Sequence, residues 1–84
     1  MTTREEIFIQ VQDVLVEIFE LDKEMVTPEK NLFTDLDLDS LDAIDMAAEL
    51  GSRTDATFNN DDLRNIRTVN DVIDAILGIK SEKS

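Results

Sequence analysis

Between Leu41 and Leu50 the chain reads LDAIDMAAEL, a run that forms a helix only if two of its faces find cover or a use. At about 100° per residue, Ala43, Met46, Ala47 and Leu50 share one apolar stripe. Leu41, Ile44 and Ala48 form a second stripe. Asp42, Asp45 and Glu49 fill a narrow acidic wedge, with Asp45 beside the second stripe. A surface helix needs one apolar stripe for its core. The second predicts a central helix in a tight core, a wall of a ligand cavity, or a face for a partner's groove. The alanines at 43, 47 and 48 favour close approach or kept space over bulky filling.

The surrounding sequence supplies other helices and no convincing strand. Ile7, Phe8, Val11, Val14, Leu15, Ile18 and Phe19 recur at helical spacing, and Thr3 with Glu6 has the spacing of a capping box. A long connection follows from Leu21 to Asp39, holding Pro28 and the core anchors Val26, Leu32 and Phe33. The second helix is expected over about residues 41–50, closed by Gly51. A short helix over about 61–66 is announced by Asn59 and Asn60. The last helix, capped by Thr68 with Asp71 at N3, presents Val69, Val72, Ile73, Ile76 and Leu77 and is expected to stop at Gly78. In Asp35-Leu36-Asp37-Leu38-Asp39 the alternation has strand period, but aspartate suits strands poorly. The predicted fold is all-α: a small antiparallel four-helix bundle, three main helices and one short, with a long first loop. The domain spans residues 1–79, and the polar stretch 80–84 is expected to fray.

Composition removes most catalytic chemistry. The 84 residues include no cysteine and no histidine, so there is no thiolate, no disulfide, and neither the commonest general base nor the commonest metal ligand. The sequence therefore predicts a chain that is bound or acted upon, without turnover of its own. Twenty acidic residues against eight basic give a net charge of -12, which repels nucleic acid and anionic membrane and favours basic protein surfaces. No Lys or Arg lies between Lys30 and Arg53. With no apolar run of transmembrane length and no signal-peptide pattern, the expectation is a monomer in the cytoplasm without stable membrane insertion.

Ser40 stands where the alternating run gives way to the second helix, and three readings compete for it. It, or Asp39, could cap the helix by accepting an early backbone N–H. Asp35, Asp37 and Asp39 match the first three ligand positions of a calcium loop. That loop's glycine would then fall on Ser40 and its bidentate glutamate on Met46, so no dedicated metal site is expected. Third, an exposed serine at a helix N-terminus suits attachment of a phosphorylated group, which the helix end stabilises.

The segment DLDLDSLDAIDMAAEL, with Asp39-Ser40-Leu41 as signature, closely resembles the region around the phosphopantetheine serine of discrete acyl carrier proteins. The likeness extends to the first helix, VTPEKNLFTDL and RTVNDVIDAI, nearly the whole chain. It implies that Ser40, flanked by Asp39 and Leu41, accepts 4′-phosphopantetheine from a separate Mg²⁺-dependent phosphopantetheinyl transferase. It also implies that acyl groups ride as thioesters on that arm, in fatty-acid, polyketide, aryl-polyene or specialised lipid synthesis. A ketosynthase, an acyltransferase and other enzymes with basic patches would dock on Leu41, Asp42, Ile44, Asp45, Ala48 and Glu49. The family's apolar acyl cavity, between the second helix and the rest of the bundle, would give the surplus apolar surface a purpose. Two positions depart from the pattern: Asp37 stands where many members have glycine, and GSRTDATF brings in Arg53 where members commonly continue with acid. The alternative is an acidic helical module that binds a basic partner and carries no prosthetic group.

Overall fold

A computed structural model describes the backbone of residues 3–83 and the side chains of residues 3–78. Among the described residues the chain is all-helical: α1 Arg4–Phe19, α2 Ser40–Thr54, α3 Asn60–Asn65 and α4 Val69–Lys83, with a 3₁₀ turn at Lys23–Met25. The N-termini begin where side chains accept the first free amides. Thr3 accepts from the Glu6 N–H. Asp39 with Asp42, Asn59 with Asp62, and Thr68 with Asp71 each exchange two bonds in a reciprocal box.

Helix ends differ from expectation at both glycines. α2 does not close at Gly51 but runs to Thr54, and Asp55 takes the left-handed cap at φ 60°. The reason for glycine at 51 is space: a Cβ there would sit 2.7 Å from the Ala56 carbonyl oxygen. α4 likewise continues through Gly78 to Lys83. A helical glycine costs only about 1 kcal/mol relative to alanine, so without a left-handed residue behind it the helix need not stop. The frayed stretch expected over 80–84 falls on positions whose side chains lie outside the described residues.

α1 packs against both α2 and α4. The core joins Val11, Val14 and Leu15 of α1, Met46 and Leu50 of α2, and Val72, Ile73 and Ile76 of α4, all essentially inaccessible to solvent. Each such side chain contributes about 1.5–3 kcal/mol by leaving water. The helical pattern of α1 overreaches: near its C-terminal end Ile18 is 39% exposed and Phe19 only half-buried, and Phe8 near its start is half-buried too. Gln12, in contrast, is buried on the same face, where its Nε2 donates to the carbonyls of Lys23 and Val26 at 3.2 Å each.

The long connection is ordered by two devices. Val26, Leu32, Leu36 and Leu38 are buried in the core, so the alternation of aspartate and leucine is real although no strand forms there. Backbone bonds then stitch it to the start of α4: Leu32 N–H to Arg67 O at 2.8 Å, Val69 N–H to Lys30 O at 3.1 Å and Asn70 N–H to Pro28 O at 2.9 Å. Asn31 folds the following turn, its Oδ1 accepting from Phe33 and Thr34. This docking fixes where Phe33 and Ser40 emerge.

Candidate functional site

The residue that breaks the run before α2 is Asp37, at φ 61° in the left-handed region. Glycine adopts that region freely, and aspartate is among the few other residues that tolerate it. Aspartate at 37 therefore sits in a conformation that glycine would adopt freely, at some strain. The chain then extends through Leu38, buried, and Asp39, exposed, into the first turn of α2.

The cap of α2 is Asp39, whose Oδ1 accepts from the Asp42 N–H at 2.9 Å; Asp42 Oδ2 accepts from the Asp39 N–H at 3.1 Å. Ser40 is therefore the first helical residue and does no capping. It is exposed, and among the described residues its hydroxyl makes no hydrogen bond. The N–H groups of Ser40 and Leu41 are equally unpartnered there, because the box uses only those of Asp39 and Asp42. A free hydroxyl beside two free donors at the positive end of a helix fits a phosphodiester.

The two stripes of α2 separate as the wheel requires. Ala43, Met46, Ala47 and Leu50 are buried, whereas Leu41 is 69% and Ile44 50% exposed, and Ala48 is exposed beside them. The wedge divides further. Asp45 is exposed, Asp42 is half-buried in the capping box, and Glu49 is half-buried with an Oε1 contact to Arg53 at 3.2 Å. Arg53 also pairs with Glu17 of α1, so it ties α1 to α2. The Glu17 hydrogen bond, opposed by desolvation and aided by Glu49, holds its guanidinium above the ordinary arginine value. The aspartates before Ser40 form no ligand set: Asp35 accepts from the Asn31 N–H at 2.8 Å, Asp39 caps α2, and no cluster able to hold a metal occurs among the described residues.

α3 supplies the opposite wall of a groove alongside the exposed stripe. A hollow of about 490 Å³ has Ser40, Ala43 and Ile44 on one side and Asn60, Leu63 and Arg64 on the other, with Phe33 and Arg67 also lining it. A second, of about 390 Å³, continues from Ile44 and Leu63 along Ala47, Ala48 and Gly51 to Phe58. The apolar space thus lies between α2 and α3, while the Met46 and Leu50 side of α2 is sealed against the core. The α3 wall was missed in the sequence. The short helix itself is expected from the sequence, but its part in a groove is not; the signal for that is the spacing of Asn60, Leu63, Arg64 and Arg67 at i, i+3, i+4 and i+7.

Comparison with known proteins agrees with this geometry. Residues 10–76 match the family model described as the phosphopantetheine attachment site. Acyl carrier protein 2 of Ralstonia nicotianae is 40% identical over 74 residues, 88% of this chain and 91% of the relative. The meromycolate extension acyl carrier protein of Mycobacterium tuberculosis is 31% identical over 80 residues, 95% of this chain and 70% of the relative. The crystal structure of the acyl carrier protein of Thermotoga maritima superposes with a TM-score of 0.84 at 25% identity, over 96% of this chain and 94% of that one. The solved structure of the acyl carrier protein from Enterococcus faecalis gives 0.74 at 27% identity, over 93% and 99%. Members of this family bear covalent 4′-phosphopantetheine, are carriers rather than enzymes, and work with a transferase and acyl-processing enzymes. The chain belongs to the acyl carrier protein family.

Proposed function

We propose that Ser40 is the acceptor of the 4′-phosphopantetheine arm. The observation that carries this is the uncapped, exposed Ser40 hydroxyl at the start of α2, with Asp39 doing the capping in its place. When bound, the arm supplies a terminal thiol on which acyl groups are held as thioesters. The residues of this chain do the rest. Asp39 fixes the first turn, the α2–α3 groove offers apolar cover beside the attachment point, and the exposed stripe presents itself to enzymes. Leu41, Ile44 and Ala48 give apolar contact there, and Asp45 is the carboxylate of the wedge left free for a basic patch on a ketosynthase or acyltransferase. Asp42 and Glu49 also have structural duties, in the capping box and at Arg53, and contribute to docking through their remaining oxygens.

The assignment is tested by loading the protein from coenzyme A with Mg²⁺ and a broad-specificity phosphopantetheinyl transferase, then mapping the adduct. Tryptic cleavage after Lys30 and Arg53 releases a fragment with Thr34, Ser40 and Ser52 as its hydroxyl residues. Fragmentation is expected to locate the added mass on Ser40. Mass on Ser52 or Thr34 would refute the assignment.

A further inference from the structure

A phosphodiester at Ser40 adds negative charge to a chain of net charge -12, next to Asp37, Asp39 and Asp42. The cationic side chains among the described residues lining the groove beside it are Arg64 and Arg67. Neither has a carboxylate within ion-pair distance among the described residues, unlike Arg4, paired with Asp74, and Arg53, paired with Glu17 and Glu49. Arg67 is nevertheless fixed: its Nη1 donates to the carbonyls of Arg64 and Ile66 at 2.9 and 3.0 Å, closing the end of α3. The Arg64 guanidinium is exposed and makes no hydrogen bond among the described residues. An arginine left without an acid in so acidic a chain, on the wall across the groove from Ser40, calls for an anion brought from outside the sequence.

We infer that Arg64, with Arg67 behind it, is the counter-charge for the phosphodiester carried at Ser40. The inference rests on Ser40 being the acceptor. Guanidinium suits this ligand because its donors form a planar fork that matches two phosphate oxygens. Phe33, Ala43, Ile44 and Leu63 line the same groove with apolar surface, which weakens the competition from water.

The test compares apo and loaded forms of the wild type, Arg64→Gln and Arg64→Lys at low salt, with intact mass reporting loading. Arg64 is the residue to change, because Arg67 closes α3 and its loss could disturb the fold. The ³¹P resonance of the loaded wild type is expected to shift in Arg64→Gln and to move back towards the wild-type position in Arg64→Lys. The Arg64 side-chain N–H resonance of the wild type should move on loading. Both effects should vanish near 1 M salt, where the Debye length falls to about 3 Å. Loading with coincident ³¹P resonances in wild type and Arg64→Gln would overturn this inference alone. A difference seen only when the thioester carries a free carboxylate would also overturn it, assigning Arg64 to cargo instead. Failure of the wild type to load would refute the Ser40 assignment, and this inference with it.

Discussion

Gly51 lies against Ala56 so closely that a Cβ at position 51 would stand 2.7 Å from the Ala56 carbonyl oxygen. That contact brings the backbone after α2 under the helix and forms the far end of the α2–α3 groove. Gly78 in α4 meets nothing within 4 Å. Two identical substitutions should therefore have opposite signs. Gly51→Ala gains helix propensity but forces a backbone shift costing about 1–3 kcal/mol, and is expected to lower stability by about 1–2 kcal/mol. Gly78→Ala should raise it by about 0.5–1 kcal/mol. Urea denaturation of the apo protein checks both; equal effects would contradict the packing described.

At Asp37 the left-handed backbone predicts another pair. Asp37→Gly should leave stability unchanged or raise it by up to about 1 kcal/mol, since relief of strain is partly offset by unfolded-state entropy. Asp37→Val should cost about 1–2 kcal/mol, because a β-branched residue is a poor fit to positive φ. Thermal melts would show it, and a stable valine variant would mean that the turn before Ser40 can be rebuilt.

Much of this architecture was legible because side-chain period and capping chemistry are local. Thr3, Asn59 and Thr68 mark their helix starts, and the wheel of α2 separates buried Met46 and Leu50 from exposed Leu41 and Ile44. What failed was information held by distant atoms. Whether Gly51 ends a helix or admits a carbonyl depends on Ala56 folding back, which no local rule contains. Gln12 is absent from the apolar pattern of α1, and its burial makes sense only once it reaches two loop carbonyls. Asp42 belongs to the acidic wedge by spacing, yet the capping box claims one of its oxygens. Ser40 stood out through its neighbours in sequence, but its freedom from capping is visible only once Asp39 is seen to do that work.

Gln12 provides the third prediction. Its amide satisfies the carbonyls of Lys23 and Val26 and so anchors the start of the long connection to α1. Gln12→Leu leaves both without that donor and should cost about 1–3 kcal/mol despite the added apolar surface. Hydrogen exchange should also quicken around residues 23–26, and unchanged protection there would show the anchor to be dispensable.

Docking through α2 predicts a charge-reversal effect at Asp45, which is exposed and has no structural partner among the described residues. Asp45→Lys should weaken binding to an acyl-processing enzyme by about tenfold at low salt, equivalent to about 1.4 kcal/mol, with the difference shrinking as salt rises. Circular dichroism should be unchanged. A large loss of helicity would mean that Asp45 supports the fold.

The most direct measurement is the intact mass of wild type and Ser40→Ala after incubation with coenzyme A, Mg²⁺ and a broad-specificity phosphopantetheinyl transferase. Ser40 makes no hydrogen bond among the described residues, so the alanine variant should fold and melt like the wild type. The wild type is expected to gain one phosphopantetheine and Ser40→Ala none. An unmodified wild type, or a folded Ser40→Ala that still acquires the arm, would contradict it.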